Sequence, residues 1–239
     1  MSLRISYFVS PEALLVARGA GLLDGLDVVE TRTTGSPEQL AGLLDGSLDA
    51  VVTAIDNLFE WTRAGADLRL AGQVEPTTPL AVIASPRYET LQDLEGTRFA
   101  VDAYTNGFAL VARTLLADAG VDVHWVEAGG VKERLDALLD GQVAATLLGP
   151  PFDGQALEAG HRLLARVQDV YPAFPGQGLV IRTGLQDSPE GAKFLAALRE
   201  SGLLPVDEAG LDLLTTIRQG LGLLQGDVDL HGLRCDDGT

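Results

Sequence analysis

Apolar positions along the chain switch between two spacings, and the switches mark the elements. Residues 3–9 form a short apolar and aromatic run that predicts a strand. Ser10-Pro11-Glu12 then reads as a helix start, with a hydroxyl to cap, a proline at the first position and a carboxylate in the first turn. That helix is expected to reach residue 23 and to end at the Asp24-Gly25 turn, with a strand over 27–31. Ser36-Pro37-Glu38-Gln39 repeats the start signal, with Ser36 as the cap and Gln39 closing a capping box. Leu40, Leu43 and Leu44 predict the inward face of this second helix, and Gly46 its end. Residues 48–55 are apolar almost throughout, the pattern of a strand covered on both faces.

The same script recurs at an offset of 95. Gly25-Leu26-Asp27-Val28 matches Gly120-Val121-Asp122-Val123, and Leu43-Leu44-Asp45-Gly46 matches Leu138-Leu139-Asp140-Gly141, without a gap. Upstream, Leu15-Val16-Ala17-Arg18 meets Leu110-Val111-Ala112-Arg113 in the same register. So long a match in one register predicts a duplicated supersecondary unit. In the second copy strands are expected over 97–101, 121–126 and 143–148. A helix leads in from Asn106-Gly107, and another, over 132–140, has Leu135, Leu138 and Leu139 inward. Strand–helix–strand–helix–strand order predicts parallel strands with right-handed crossovers, so each copy is read as an open α/β sheet.

Residues 68–74 and 80–84 read as strands on either side of Glu75-Pro76-Thr77-Thr78-Pro79, and 162–170 and 179–182 as strands around Tyr171-Pro172-Ala173-Phe174-Pro175-Gly176. These are taken as two crossings between lobes. The fold class expected is α/β, with two pseudo-symmetric open lobes: residues 1–78 and 178–239 form lobe 1, residues 79–177 form lobe 2, and a ligand cleft lies between them. Helices over 188–201 and 207–224 are assigned to the first lobe. In open α/β sheets ligands sit beyond the carboxyl ends of the strands, which here nominates three loops per copy.

Composition narrows the partners. A net charge of −17 disfavours nucleic acid and anionic membranes, and no stretch approaches the length of apolar residues that inserts in a bilayer. The single cysteine, Cys235, excludes an intrachain disulfide. The first residues, MSLRISYFVS, enter a strand without a leader-like segment. The expected location is therefore periplasmic or extracellular if a leader has been removed, and cytoplasmic if the chain is complete. The histidines, His124, His161 and His231, lack metal-ligand spacing, and no nucleophile elbow, P-loop or dinucleotide fingerprint is present. No cofactor, metal or catalytic residue is assigned.

The order of Pro-started helix, Gly-Leu-Asp-Val, Leu-Leu-Asp-Gly-Ser-Leu-Asp-Ala and Leu91-Gln92-Asp93-Leu94-Glu95-Gly96 resembles the type 2 periplasmic-binding-protein fold. More narrowly, residues 3–200 resemble substrate-binding proteins of nitrate, sulfonate, taurine and pyrimidine-precursor transporters, the NMT1/THI5-like group. The resemblance implies a clamp that closes on a small molecule and an ABC permease as partner. The alternative is an intracellular enzyme of the same fold acting on a small organic acid, as in the menaquinone pathway, with Asp56, Asp102 or Asn106 handling protons. A pyrimidine synthase of this fold depends on a cysteine-rich stretch that this chain lacks, and a ligand-sensing regulatory domain has no DNA-binding helices here.

Carried over by position, the implied ligand contacts fall in the nominated loops. Tyr7 and Phe8 close the first strand, where alternation sends one outward and one to the core. Ser10, Gly35 and Ser36 sit at helix starts, where capping is the competing explanation. Thr53, Asp56 and Asn57 end an apolar strand, and Thr77 and Thr78 lie at a crossing. In the second copy the candidates are Asp102, Thr105, Asn106, Gly129, Gly130 and Phe152, the last beside Pro150-Pro151. Tyr171 and Phe174 would stack on a ring or plug the core. Asp56 and Asp102, with few Arg or Lys in the loops, favour a neutral, zwitterionic or partly cationic ligand, such as an aromatic heterocycle, over a bare oxyanion.

Overall fold

The computed structural model describes residues 2–105, 107–224, 226 and 228–235. The first copy runs β1 (Ser2–Tyr7), α1 (Glu12–Gly19), β2 (Asp27–Arg32), α2 (Ser36–Asp45), β3 (Ala50–Thr53), α3 (Asn57–Arg63) and β4 (Leu68–Gln73). β5 (Ala81–Ala84) leads to the second copy: β6 (Arg98–Val101), α4 (Ala109–Asp118), β7 (His124–Glu127), α5 (Val131–Leu139), β8 (Ala145–Leu148), α6 (Phe152–Glu158) and β9 (Arg162–Arg166). α7 (Val167–Val170), β10 (Gly178–Arg182), α8 (Pro189–Glu200) and α9 (Glu208–Gly220) follow.

The chain divides into two units, one of residues 1–77, 175–211 and 226–239, the other of residues 78–174 and 212–225. α9, expected on the first lobe, thus has its first four residues in unit 1 and the rest in unit 2. Unit 1 holds a five-stranded sheet of order β2-β1-β3-β10-β4, and unit 2 one of order β7-β6-β8-β5-β9. The two orders are the same pattern, and the offset of 95 maps the start of α2 onto α5, β3 onto β8 and the start of α3 onto α6. The duplication therefore continues past the matched sequence, through a further helix.

The three strands of each copy are parallel, as expected, and each sheet also takes in an antiparallel strand for which the pattern gave no direction. β1, β2 and β3 are parallel, but β10 inserts antiparallel between β3 and β4. In unit 2, β5 inserts in the same way between β8 and β9. Each crossing strand thus fills the second copy's sheet or completes the first's. The physical reason is that a strand entering from the other unit has no crossover helix to reverse it.

Strand burial follows from position. β3, β5 and β8 are buried at every residue, as central strands must be, while edge strands β2 and β7 are largely solvent-facing. The core of unit 1 gathers Leu3, Ile5, Leu14, Val52, Leu179 and Phe194. That of unit 2 gathers Ile83, Ala100, Leu135, Leu138 and Leu148.

Two helix details differ from the pattern reading. The inward face of α2 is Ser36, Gln39, Gly42 and Leu43, and Leu44 is 50% exposed; in α5 Leu139 is likewise 43% exposed. At 100° per residue, positions three apart share the inward face, and the second of two adjacent leucines rotates off it. Gly42 is there because Leu48 packs against it, leaving 2.5 Å between an added Cβ and Leu48. The helix starts also shift: Pro11 caps α1 and Gly35 caps α2, neither with a side-chain bond. Ser10 and Ser36 therefore do not cap.

Candidate ligand-binding site

In unit 1 the carboxyl ends of β1, β2 and β3 carry the nominated residues. Tyr7 is 7% exposed, belongs to the core and donates its hydroxyl to Glu30 Oε2 at 2.6 Å. Burial and that carboxylate raise the Tyr7 pKa. Phe8 is half-buried, so alternation has sent Tyr7 inward. Ser10, released from capping, has its hydroxyl oxygen buried beside the Tyr7 hydroxyl, and it accepts no hydrogen bond.

The loop before α2 is closed from within. Thr33 Oγ1 and Thr34 N donate to Glu38 Oε2 at 2.7 and 3.0 Å, and Gly35 N donates to Thr33 Oγ1 at 3.2 Å. Those donors hold the Glu38 carboxyl below its ordinary pKa. Glu38, not Gln39, thus reaches back over the helix start, to the N–H one residue before the cap. Gln39 instead turns inward, fully buried, and its Nε2 donates to Ser6 O at 3.3 Å and Val52 O at 3.1 Å. Two carbonyls fix the amide's orientation, and Gln39 Oε1 is left without a partner.

At the end of β3, Thr53 is fully buried, and Asp56 and Asn57 are 3% and 2% exposed. Asn57 Nδ2 donates to Thr53 Oγ1 at 2.8 Å, and Asn57 Oδ1 has no partner. Asp56 immediately precedes α3. Thr77, the last residue of unit 1's first segment, is half-buried.

In unit 2, Asp102 follows β6 and accepts from Arg134 Nη1 at 3.4 Å. Arg134 is 6% exposed, and its Nε is buried without a partner. Burial pushes its guanidinium pKa down while the Asp102 charge opposes the shift. The loop after Asp102 is tied at three points: Tyr104 N donates to Glu127, Arg113 Nη1 donates to Tyr104 O, and Arg218 Nη2 donates to Thr105 O. Thr105 is exposed, and Asn106 lies outside the described residues.

Gly129 takes φ +93, a left-handed conformation that suits glycine, and Gly130 caps α5. Pro150–Pro151 is a cis peptide, and Phe152, half-buried, packs on the unit's core at the start of α6. Thr78 is buried, and its carbonyl accepts from Gln168 Nε2. Phe174 packs against Phe108 with the rings tilted, 6.0 Å between centroids. Tyr171 donates to Asp118, at the C-terminal end of α4 and so away from the loop that opens that helix; burial and Asp118 raise its pKa.

Gln39 and Arg134 escaped the loop-based reading because they sit one turn inside helices. They occupy the same position of the duplication, 95 apart, and both send a buried polar head to the carboxyl edge of their sheet. A polar residue at the matching inward position of both copies is the signal that would have found them. Arg134 also revises the charge argument, since Asp102 is an ion-paired carboxylate. Among the described residues no group of three or more His, Cys, Asp or Glu is placed to hold a metal, and no helix is long and apolar enough to cross a membrane.

Two units, each with a crossing strand inserted antiparallel into a sheet of the same order, define the type 2 periplasmic-binding-protein fold. The family model described as NMT1/THI5 like matches residues 16–201, and the chain belongs to that family. Among solved structures, a ligand-binding component of an ABC-type import system from Staphylococcus aureus, with zinc bound, superposes with TM-score 0.78 at 15% identity, covering 94% of this chain and 93% of that one. The alkanesulfonate-binding protein SsuA of Xanthomonas axonopodis pv. citri, bound to MOPS, gives 0.71 at 24% identity, covering 93% and 80%. PhnD1 of Prochlorococcus marinus, in complex with methylphosphonate, gives 0.71 at 12%, covering 93% and 99%. At these identities the likeness is one of fold. No curated protein matches the chain in sequence.

Proposed function

We propose that the chain is a solute-binding protein whose two units close on a small molecule, and that it serves an ABC-type uptake system by delivering the ligand to a membrane permease. The observation that supports this reading most is family membership over residues 16–201. It is joined by the duplicated carboxyl edges, where buried polar atoms lack protein partners. Each such atom costs about 1–3 kcal/mol when unsatisfied, a cost a bound solute removes. Ser10, Gly35, Ser36, Thr53, Asp56 and Asn57 are the proposed contacts on unit 1, with Thr77 beside the crossing. Thr78, Asp102, Thr105, Asn106, Gly129, Gly130 and Phe152 are those on unit 2. Tyr7, Phe174 and Tyr171 serve packing in this reading.

The related enzyme alternative needs a carboxylate free to move protons, and Asp102 is engaged by Arg134. A binding protein raises its melting temperature with ligand and returns the ligand unchanged. A screen read by thermal melting, with the small molecules then identified by mass spectrometry, tests this. Appearance of a product contradicts the proposal.

A further inference from the structure

Among the described residues, five buried side-chain oxygens of unit 1 lack a hydrogen-bond donor; Thr62 Oγ1 and Ser201 Oγ lie elsewhere in the unit, and Ser10 Oγ, Gln39 Oε1 and Asn57 Oδ1 gather at the carboxyl ends of its strands. All three belong to one edge of the sheet. Ser10 follows β1; Gln39 is anchored on the carbonyls of Ser6 and Val52, at the ends of β1 and β3; Asn57 is anchored on Thr53, the last residue of β3. The two amide oxygens are pure acceptors; the Gln39 NH2 is spent on two carbonyls, and the Asn57 NH2 gives a hydrogen to Thr53 Oγ1. A group that brings only acceptors, such as a sulfonate or phosphonate, would meet them with like partial charge.

The neighbouring helix start gives an independent reason. The N-terminal turn of α2 is where an oxyanion would be expected to dock. The Glu38 carboxylate is folded back beside it, accepting from Thr33 Oγ1 and Thr34 N of the loop that leads into the helix. A second anion there would face a fixed carboxylate, whose full charge exceeds the half-charge of a helix dipole.

Resting on the solute-binding reading, we infer that the unit 1 edge takes a ligand through N–H donors, as an amine, an amidine or an aminated ring, and selects against a bare oxyanion. An ammonium or amidinium offers two or more donors and accepts nothing, which matches two amide oxygens and a hydroxyl. Ser10 can accept from the same group while its own proton turns to the Tyr7 hydroxyl beside it.

The test is isothermal titration and thermal melting of the full chain with acetamidinium, benzamidinium and 2-aminopyridine, set against methanesulfonate and methylphosphonate. At least one N–H donor should bind and raise the melting temperature, and neither oxyanion should. Asn57→Leu and, separately, Ser10→Ala should each weaken that binding about tenfold, the size of one lost hydrogen bond. Far-ultraviolet circular dichroism should be unchanged in both variants, and Ser10→Ala, which removes only a hydroxyl, keeps the test valid if Asn57→Leu folds poorly. Binding of methanesulfonate or methylphosphonate in preference to every N–H donor overturns the inference and leaves the solute-binding role standing. Absence of binding by all three donors also overturns it. Binding of a donor followed by its conversion upholds the donor assignment and instead overturns the solute-binding role.

Discussion

Asp49 is 1% exposed and gathers three strands at the edge opposite the proposed ligand contacts. Its carboxylate accepts from Arg4 N and Nε at 2.9 Å, and from Arg4 Nη2 and Arg182 Nη2 at 3.0 Å. Burial pushes its pKa up, but the Arg4 hydrogen bonds and the charges of Arg4 and Arg182 outweigh burial and hold it below the ordinary value. A lowered folded-state pKa stabilises fully above the unfolded value and is lost as pH falls through the folded one. Asp49→Asn should therefore cost about 2 kcal/mol at neutral pH, typical of hydrogen bonds to a charged group. The difference from wild type should narrow below about pH 4, where carboxylates protonate. Melting curves of both proteins across that range check it, and a gap independent of pH would contradict it. At the second copy's edge, Asp102→Asn removes the counter-charge of buried Arg134. Methanesulfonate should then gain about tenfold in affinity over wild type, about 1.4 kcal/mol, measured by titration. Thr53, Asp56 and Asn57 were legible because polar groups ending an apolar run stand out in sequence. Gln39 and Arg134 were not, because their reach depends on side-chain length and on which carbonyls the neighbouring strands present.

The segment joining β4 to β5 and the segment preceding β10 run side by side within unit 1. Val74 N donates to Gln177 O at 2.9 Å, Gly176 N to Pro76 O at 3.2 Å, and Gln177 N to Glu75 Oε1 at 3.4 Å. Gly176 is held to glycine by closeness: an added Cβ would stand 2.0 Å from Glu75 O. Gly176→Ala should destabilise by about 1–3 kcal/mol, the range of overpacking, with backbone separation as the relief. Denaturant unfolding measures it, and an unchanged midpoint would show that the two segments are not pinned together. These elements were legible as strands and turns from Pro, Gly and apolar runs. Their direction was not, because antiparallel insertion of β10 and β5 depends on where a strand comes from. The same limit shifted the helix starts: Ser10 and Ser36 carry capping chemistry, yet the prolines after them leave Pro11 and Gly35 at the cap positions.

Across the whole chain the duplication is the organising fact, and it was the most legible one. Matched positions from Leu15 to Ala50 find their partners 95 residues on, and the structure carries the offset into α3 and α6, where Asn57 pairs with Phe152 and similarity of residue type has gone. The copies have diverged in chemistry at the carboxyl ends of their strands, with Gln39 in one and Arg134 in the other. The direct test is equilibrium dialysis of the protein against an amidine or amine that stabilises it, with the bound molecule released and identified by mass spectrometry. The account predicts one ligand bound per chain and recovered chemically intact. A released molecule altered from the one supplied, or an oxyanion taken up in its place, would contradict it.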